Sequence, residues 1–363
     1  MTLYIVVGLL PIFLMSPFGG VWADRYNRKN IINIADGSIA LASLTVALTL
    51  MSGYDSIWIL YLCAAVRALG QGVQSPAVGA FLPQITPQEH LTKVNGINSS
   101  IQSFIQIISP LAGGALLTFM PLETIFFIDV VTAIIGITIL YFFIKIPGTD
   151  KSEENENRSA KSYYQDIKDG MKYVWNHKFI RQMILITVVL YLMVAPCAFL
   201  TPLQVTRNFG ADVWRLTAIE IAFSAGMMLG GIIIGFWGGL KNRIYSMALA
   251  CLLMGIEIAA LGLLDNFWFY LFAMFLSGLC LPLYSTPETV LFQTKVAPEY
   301  MGRVFGVFSM VATLVMPAGM LIFGPLGDII NIDWLLIGSG IIIALLSIPF
   351  MKNKILKEAG ATV

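Results

Sequence analysis

GVWADRYNR, Gly20–Arg28, and GFWGGLKNR, Gly235–Arg243, carry Gly, Trp, Asn and Arg at identical spacing, 215 residues apart. A second pair keeps nearly the same register. SPAVGAFLPQITPQ (75–88) aligns with TPETVLFQTKVAPE (286–299) at an offset of 211, with prolines eleven residues apart in each. One such match arises easily by chance, but two in nearly one register do not. The chain is therefore built from two related halves, and each nine-residue stretch connects one apolar segment to the next.

Composition says what the segments are. Of 363 residues, 57% are hydrophobic and 12% charged, against about 25% charged in a soluble domain. Runs long enough to cross a bilayer as helices recur throughout, and the short alternating segments of barrel strands are absent. The sequence predicts an all-α polytopic membrane protein with eleven spans, near 3–22, 31–52, 57–81, 95–120, 124–146, 179–203, 215–240, 244–264, 266–291, 303–325 and 331–350. Met1 leads straight into the first of these, with no basic leader or cleavage site.

The one long connection, 147–178, separates an N-terminal bundle (1–146, five spans) from a C-terminal bundle (179–363, six spans). Its first part, TDKSEENENRSAKS, reads as a flexible polar linker. Its second part places Tyr163, Tyr164, Ile167, Met171, Val174 and Trp175 at helical spacing, which predicts an amphipathic helix along the membrane interface. Packing against the inner helix ends is the plainer role for it, and lipid regulation the sharper one.

Lys and Arg in the connections orient the chain. One side collects Arg25, Arg28, Lys29 and Lys93, seven from Lys145 to Lys178, then Lys241, Arg243, Lys295, Arg303, Lys352, Lys354 and Lys357, eighteen in all. The other side holds Arg207 and Arg215. That split predicts a cell-membrane protein whose central loop and C-terminus are cytoplasmic and whose Met1 is outside. Formal net charge is +1, so nothing points to nucleic acid. Cys63, Cys197, Cys251 and Cys280 lie far apart in apolar runs and read as buried small residues, not metal ligands. No metal, no cofactor and no catalytic residue is expected, nor a Walker motif that would make ATP the energy source.

The repeat register carries a further expectation. GFWGGLKNR follows the second span of its half, whereas GVWADRYNR follows the first span of the chain. The parent plan is then six plus six, with the first helix missing from the N-terminal half.

Three motifs resemble those of a known family. Gly20-Val-Trp-Ala-Asp24-Arg25-Tyr-Asn27-Arg28-Lys29 is similar to the cytoplasmic signature GxLaDRxGRK of the major facilitator superfamily (MFS). Arg67-Ala-Leu-Gly70-Gln71-Gly72 resembles its RxxqG motif, and Ser109-Pro110-Leu-Ala-Gly113-Gly114 its GPxxGG antiporter motif. The PQITPQEHLTKVNGIN and PEYMGRVFGVFS segments are similar to the macrolide-efflux-like drug:proton antiporters. Asn27 and Ser109 each stand where the family usually has Gly.

Asp24 sits at the C-terminal end of its helix, where the dipole disfavours a carboxylate, so it needs a partner elsewhere. The span beginning near Arg303 presents a helix N-terminus that suits an anion. The resemblance implies this contact, as a gate tying the two halves together; the alternative is a basic loop that only sets topology. Asn27 tolerates a left-handed turn better than most residues. A charge at Arg67 in mid-span costs at least about 2.5 kcal/mol, and Gln71, Gln74 and Ser75 continue its face. Asn95, Asn98, Ser99, Gln102, Gln106 and Ser109 form a second polar stripe. The two stripes line a water-filled pathway or glue helices together. Among intramembrane acids, Asp36, Asp129 and Glu257 read as structural partners, and Glu220 and Glu288 as candidates for protonation or cation contact. Ser109, Pro110, Gly113 and Gly114 predict a helix bend with close backbone approach.

Function follows from these features and the resemblance. The chain reads as a monomeric secondary transporter in contact with lipid, exporting an amphipathic, macrolide-like small molecule in exchange for protons by alternating access. The alternatives are export of a siderophore or lipid, and a truncated membrane protein that does not transport.

Overall fold

In the computed structural model, the structure describes residues 2–53, 57–144, 160–210 and 212–361. The linker segment 149–159 falls outside them. The described residues form helices and no sheet, and eleven helices among them are long and apolar enough to cross a membrane. In the first half these are α1 (Thr2–Arg25), α2 (Arg28–Met51), α3 (Ile57–Ile85), α4 (Leu91–Phe119) and α5 (Leu122–Phe143). The amphipathic α6 (Ala160–Asn176) follows. The second half holds α7 (Lys178–Phe209), α8 (Val213–Trp237), α9 (Arg243–Leu261), α10 (Phe267–Lys295) and α11 (Met301–Ile329). The last span is built from α12 (Ile332–Leu345) and α13 (Ser347–Lys352), and α14 (Lys354–Gly360) ends the chain. Several helices outrun their apolar segments: α3 continues to Ile85 and α7 to Phe209, because backbone pairing persists where side chains turn polar.

Asn27 and Asn242, equivalent in the repeat, do the same work. Each accepts a hydrogen bond from the backbone two residues on, Lys29 N and Ile244 N, both at 3.0 Å, and so caps α2 and α9. The left-handed turn expected at Asn27 is not used. Its φ is −65°, the extended conformation of an N-cap.

The chain divides into two compact units that cut across the sequence halves. The first comprises Met1–Pro87, Leu111–His177 and Val296–Thr313; the second comprises Gln88–Pro110, Lys178–Lys295 and Leu314–Val363. Small residues explain the exchange, since they let helix backbones touch. In the first unit α3 packs against α1 and α2, and α2 against α5, around Ala23, Ile31, Ile32, Val73, Ala77 and Phe81. There a Cβ on Gly20 would strike the carbonyl of Gly302, which brings the start of α11 against α1. In the second unit α10 packs on α8 and α9, and α12 on α9 and α7. Its Gly96, on α4, lies against the backbone of Gly231 and Gly235 on α8.

The halves differ in one respect. In the second, α7 packs on α12, and Ala195 and Leu200 of α7 cover Gly319 and Gly327 of α11. Five residues of α12 are buried, whereas none of α5 is. Among the described residues, nothing lies within 4 Å of a Cβ placed at Gly113, Gly114 or Gly136 on α4 and α5, nor at Gly324 and Gly338 on α11 and α12. The close approach expected at the Ser109–Gly114 motif is not made among the described residues. Among the described residues, nothing packs on α5 as α7 packs on α12.

Candidate functional site: a carboxylate clasp and two polar clusters

Asp24 is the next-to-last residue of α1, and its side chain is only 2% exposed. Its Oδ1 accepts from Gly302 N at 2.6 Å and its Oδ2 from Arg303 N at 2.9 Å. Those two N–H groups belong to the first turn of α11, where no intrahelical acceptor exists for them. A carboxylate misplaced on its own helix dipole thus sits on the favourable end of another. The Arg28 guanidinium lies 3.5 Å away and that of Arg303 3.7 Å away.

The neighbouring bases close the loop around this contact. Arg28 is buried and donates to the carbonyls of Ala23 (2.9 Å), Ala80 (2.7 Å) and Pro298 (3.1 Å). Lys29 donates to Tyr141 O (2.7 Å) and Ile144 O (2.8 Å), at the C-terminal end of α5. Arg25 pairs with Asp166 on α6 and lies over the Tyr163 ring, 4.1 Å from its centroid. Gly20 supplies the close approach to Gly302.

α6 packs on these helix ends, the plainer of its two expected roles. Asp166 takes Arg25 on one oxygen and Arg303, at 3.3 Å, on the other. Tyr173 stacks on Tyr300 with centroids 4.2 Å apart and accepts from Ala297 N at 3.3 Å. The Tyr26 and Tyr163 hydroxyls share a hydrogen bond, which, ahead of its slight desolvation, raises the Tyr26 phenol above its ordinary pKa. Side chains at 161, 162 and 164 are outside the described set. Asp166 and Tyr173 escape a search for an apolar stripe. The signal available was the surplus of bases at this end, which needed an acid. A cavity of about 760 Å³ opens beside the loop, lined among others by Trp22, Asn30, Ile34, Ser38, Leu69 and Val73.

The expected pathway residues are divided between the two units, Arg67, Gln71 and Gln74 in the first and the others in the second. Arg67, half exposed, pairs with Asp129 on α5 and with Ser43 on α2. Gln74 donates to Asp36 on α2. The polar face of α3 is thus spent largely inside its own bundle, on the acids read as structural, while Gln71 is exposed. On α4, Asn95 donates to Gln293 of α10 at 2.8 Å, whereas Asn98, Gln102 and Gln106 are exposed. Glu220 on α8 is exposed as well. Glu288 is wholly buried on α10, where its Oε1 meets Thr187 of α7 and the Tyr284 hydroxyl (3.4 Å). Glu257, read as a structural partner, faces Cys280, with Sγ at 3.7 Å, and has no basic partner among the described residues. All four cysteines are free and buried. No group of three or more His, Cys, Asp or Glu positioned to hold a metal occurs among the described residues.

Two halves of repeated helices, joined by a carboxylate on a helix end, are an architecture that suits a membrane carrier. The sequence model of the Major Facilitator Superfamily matches residues 1–320, and the chain belongs to that superfamily. It is 30% identical over 355 residues to macrolide efflux protein A of Streptococcus pyogenes, covering 97% of this chain and 87% of that protein. To macrolide efflux protein A of Enterococcus faecalis it is 31% identical over 317 residues, covering 87% and 97%. The solved structure of the human organic anion transporter MFSD10 superposes with a TM-score of 0.82 at 11% identity, covering 96% of this chain and 83% of that one. At that identity the likeness is one of fold. The protein is a multi-pass membrane transporter.

Proposed function

We propose that the chain is a secondary active exporter of an amphipathic, macrolide-like small molecule, driven by proton exchange through alternating access at the cell membrane. The observation that carries this reading is the Asp24 clasp. It is a non-covalent contact between the two sequence halves, made of two backbone hydrogen bonds and flanking guanidiniums. Such a contact is strong enough to hold one state and reversible enough to release it, as a rocking carrier requires. The distribution of Lys and Arg supports a cytoplasmic clasp, and the similarity to macrolide efflux proteins supports the substrate class. Family membership favours coupling to an ion gradient. Macrolide uptake into everted membrane vesicles tests the reading. It should build up with an inside-acid gradient and collapse with a protonophore; uptake indifferent to the protonophore, or absent at normal expression, would sink it.

A second reading is favoured by one observation, the bare face on α4 and α5 around Gly113, Gly114 and Gly136. Under it, these helices transport only when another apolar helix lies against them. Fusing such a helix ahead of Met1 should then raise both thermal stability in detergent and efflux, and no gain in either would remove this reading.

A further inference from the structure

Glu288 and Glu257 stand out because neither is satisfied where it lies. The Glu288 side chain is 0% exposed, yet only its Oε1 is hydrogen-bonded, and the buried Oε2 has no partner among the described residues. Glu257 likewise uses Oε1, and its buried Oε2 has no hydrogen-bond partner among the described residues. Among the described residues, the groups facing Glu288 are neutral: Thr187 and Tyr191 from α7, Tyr284 from α10 and Cys251 from α9. The same holds for Glu257, which meets Cys280 and Ser277 of α10 and Cys197 of α7. A carboxylate buried without a cation carries its full desolvation cost when ionised. Gain or loss of a proton is therefore its cheapest response to a change in hydration.

Spacing ties the two together. Ser277, Cys280, Tyr284 and Glu288 follow one another at intervals of three, four and four residues, so they share one face of α10. Cys280 reaches Glu257 at one end of this face, and Tyr284 reaches Glu288 nearer the other. Positions 280 and 288 are about 12 Å apart along the axis at 1.5 Å per residue. The carboxylates therefore sit at different depths in the membrane, with a thiol and a phenol between them. Arg67 and Asp129, by contrast, already satisfy each other in the first unit.

We propose that Glu257 and Glu288 are two stations of one proton path through the second bundle, joined along the Cys280–Tyr284 face of α10. The proposal rests on the proton-exchange reading above. A proton from the side away from the motif adds to the Glu257 carboxylate. It passes along the face to Glu288 as Glu257 returns to its ionised form, and leaves Glu288 at the motif side. Only O–H and S–H bonds change, and one proton crosses per passage.

Reconstitution of the full chain in liposomes enclosing a pH-sensitive dye, with erythromycin as probe, tests this. Wild type should show erythromycin-dependent proton movement. Glu257→Gln and Glu288→Gln should each lower it at least tenfold, with Glu257→Asp and Glu288→Asp restoring a measurable part. Tyr284→Phe should lower it several-fold, and melting temperatures in detergent should show every variant folded. Proton movement in Glu257→Gln equal to wild type overturns the path. So does a matching loss of equilibrium erythromycin binding by Glu288→Gln, which would make that carboxylate a substrate ligand. If wild type itself moves no protons while transporting erythromycin, the proton-exchange reading falls, and the path with it.

Discussion

Asp24→Asn removes a charge from the clasp while keeping its shape. In the structure the carboxylate accepts two backbone hydrogen bonds, from Gly302 N at 2.6 Å and Arg303 N at 2.9 Å. An asparagine offers one acceptor oxygen to these two donors and turns its NH2 group toward the other. One hydrogen bond to a charged group is then lost and the other becomes a neutral one, about 3 kcal/mol together where such bonds are worth about 1.5–3 and neutral ones about 1. At 1.4 kcal/mol per decade, that shifts the balance between closed and open clasp by about a hundredfold. Ser16 reports the change, because it is fully buried on α1 and its carbonyl lies against Gly306 of α11. A cysteine placed there should react with an aqueous maleimide in proportion to the open fraction, provided closing outruns labelling. The Asp24→Asn background should raise the labelling rate by about two decades and impair transport without preventing membrane insertion. A rise of less than about threefold in well-inserted protein, where roughly a hundredfold is worked out from the bonds lost, would refute the clasp.

Three other outcomes can be checked by melting in detergent. Asn27→Ala and Asn242→Ala should each cost about 1 kcal/mol, the usual loss for an N-cap, and a variant that melts like wild type would show its cap to be idle. The double mutant Arg67→Ala/Asp129→Ala should destabilise less than the sum of its two single mutants. The coupling should be about 1 kcal/mol, within the usual range for residues in contact; strict additivity would mean no pairing. Gly239→Asp should destabilise by about 1–2 kcal/mol, because Gly239 has a φ of +83° that L-residues resist, and a neutral result would show that the turn relaxes freely.

Much of this was legible in the sequence because it depends on periodicity and local charge. Eleven apolar runs match eleven membrane-length helices among the described residues, and the misplacement of Asp24 called for a partner that the family resemblance put at the start of α11. What escaped was azimuth, the direction in which each helix turns its face. Arg67 and Gln74 share a polar stripe, but which neighbour that stripe meets depends on how α3 rotates against α2 and α5, and spacing along one helix does not encode that. The Ser109–Gly114 motif has the small residues for close packing, yet packing also needs a second surface. Asn27 illustrates a third limit. Its residue type fits a left-handed turn and an N-cap equally well, and only the two-residue gap between α1 and α2 selects the cap.

The repeat itself shows how one stretch came to do two jobs. Trp22 and Trp237, and Asn27 and Asn242, occupy matched places, and both asparagines cap the helix that follows. The difference lies between them. Ala23 and Asp24 let α1 continue to Arg25, whereas Gly238 and Gly239, at φ +76° and +83°, end α8 at Trp237. Extending α1 keeps Asp24 on the helix and aims it at the first turn of α11. Ending α8 early leaves Gly235 and Gly231 to meet Gly96 on α4 through backbone contact alone. The glycine packing is common to both places, since Gly20 meets Gly302 as Gly235 meets Gly96. What separates them is the carboxylate, whose two hydrogen bonds are worth about 3–6 kcal/mol before the cost of burying it. Replacing two residues with glycine turns a clasp into a plain contact, so the strength of this end of the molecule rests on Asp24 and on the helix that carries it.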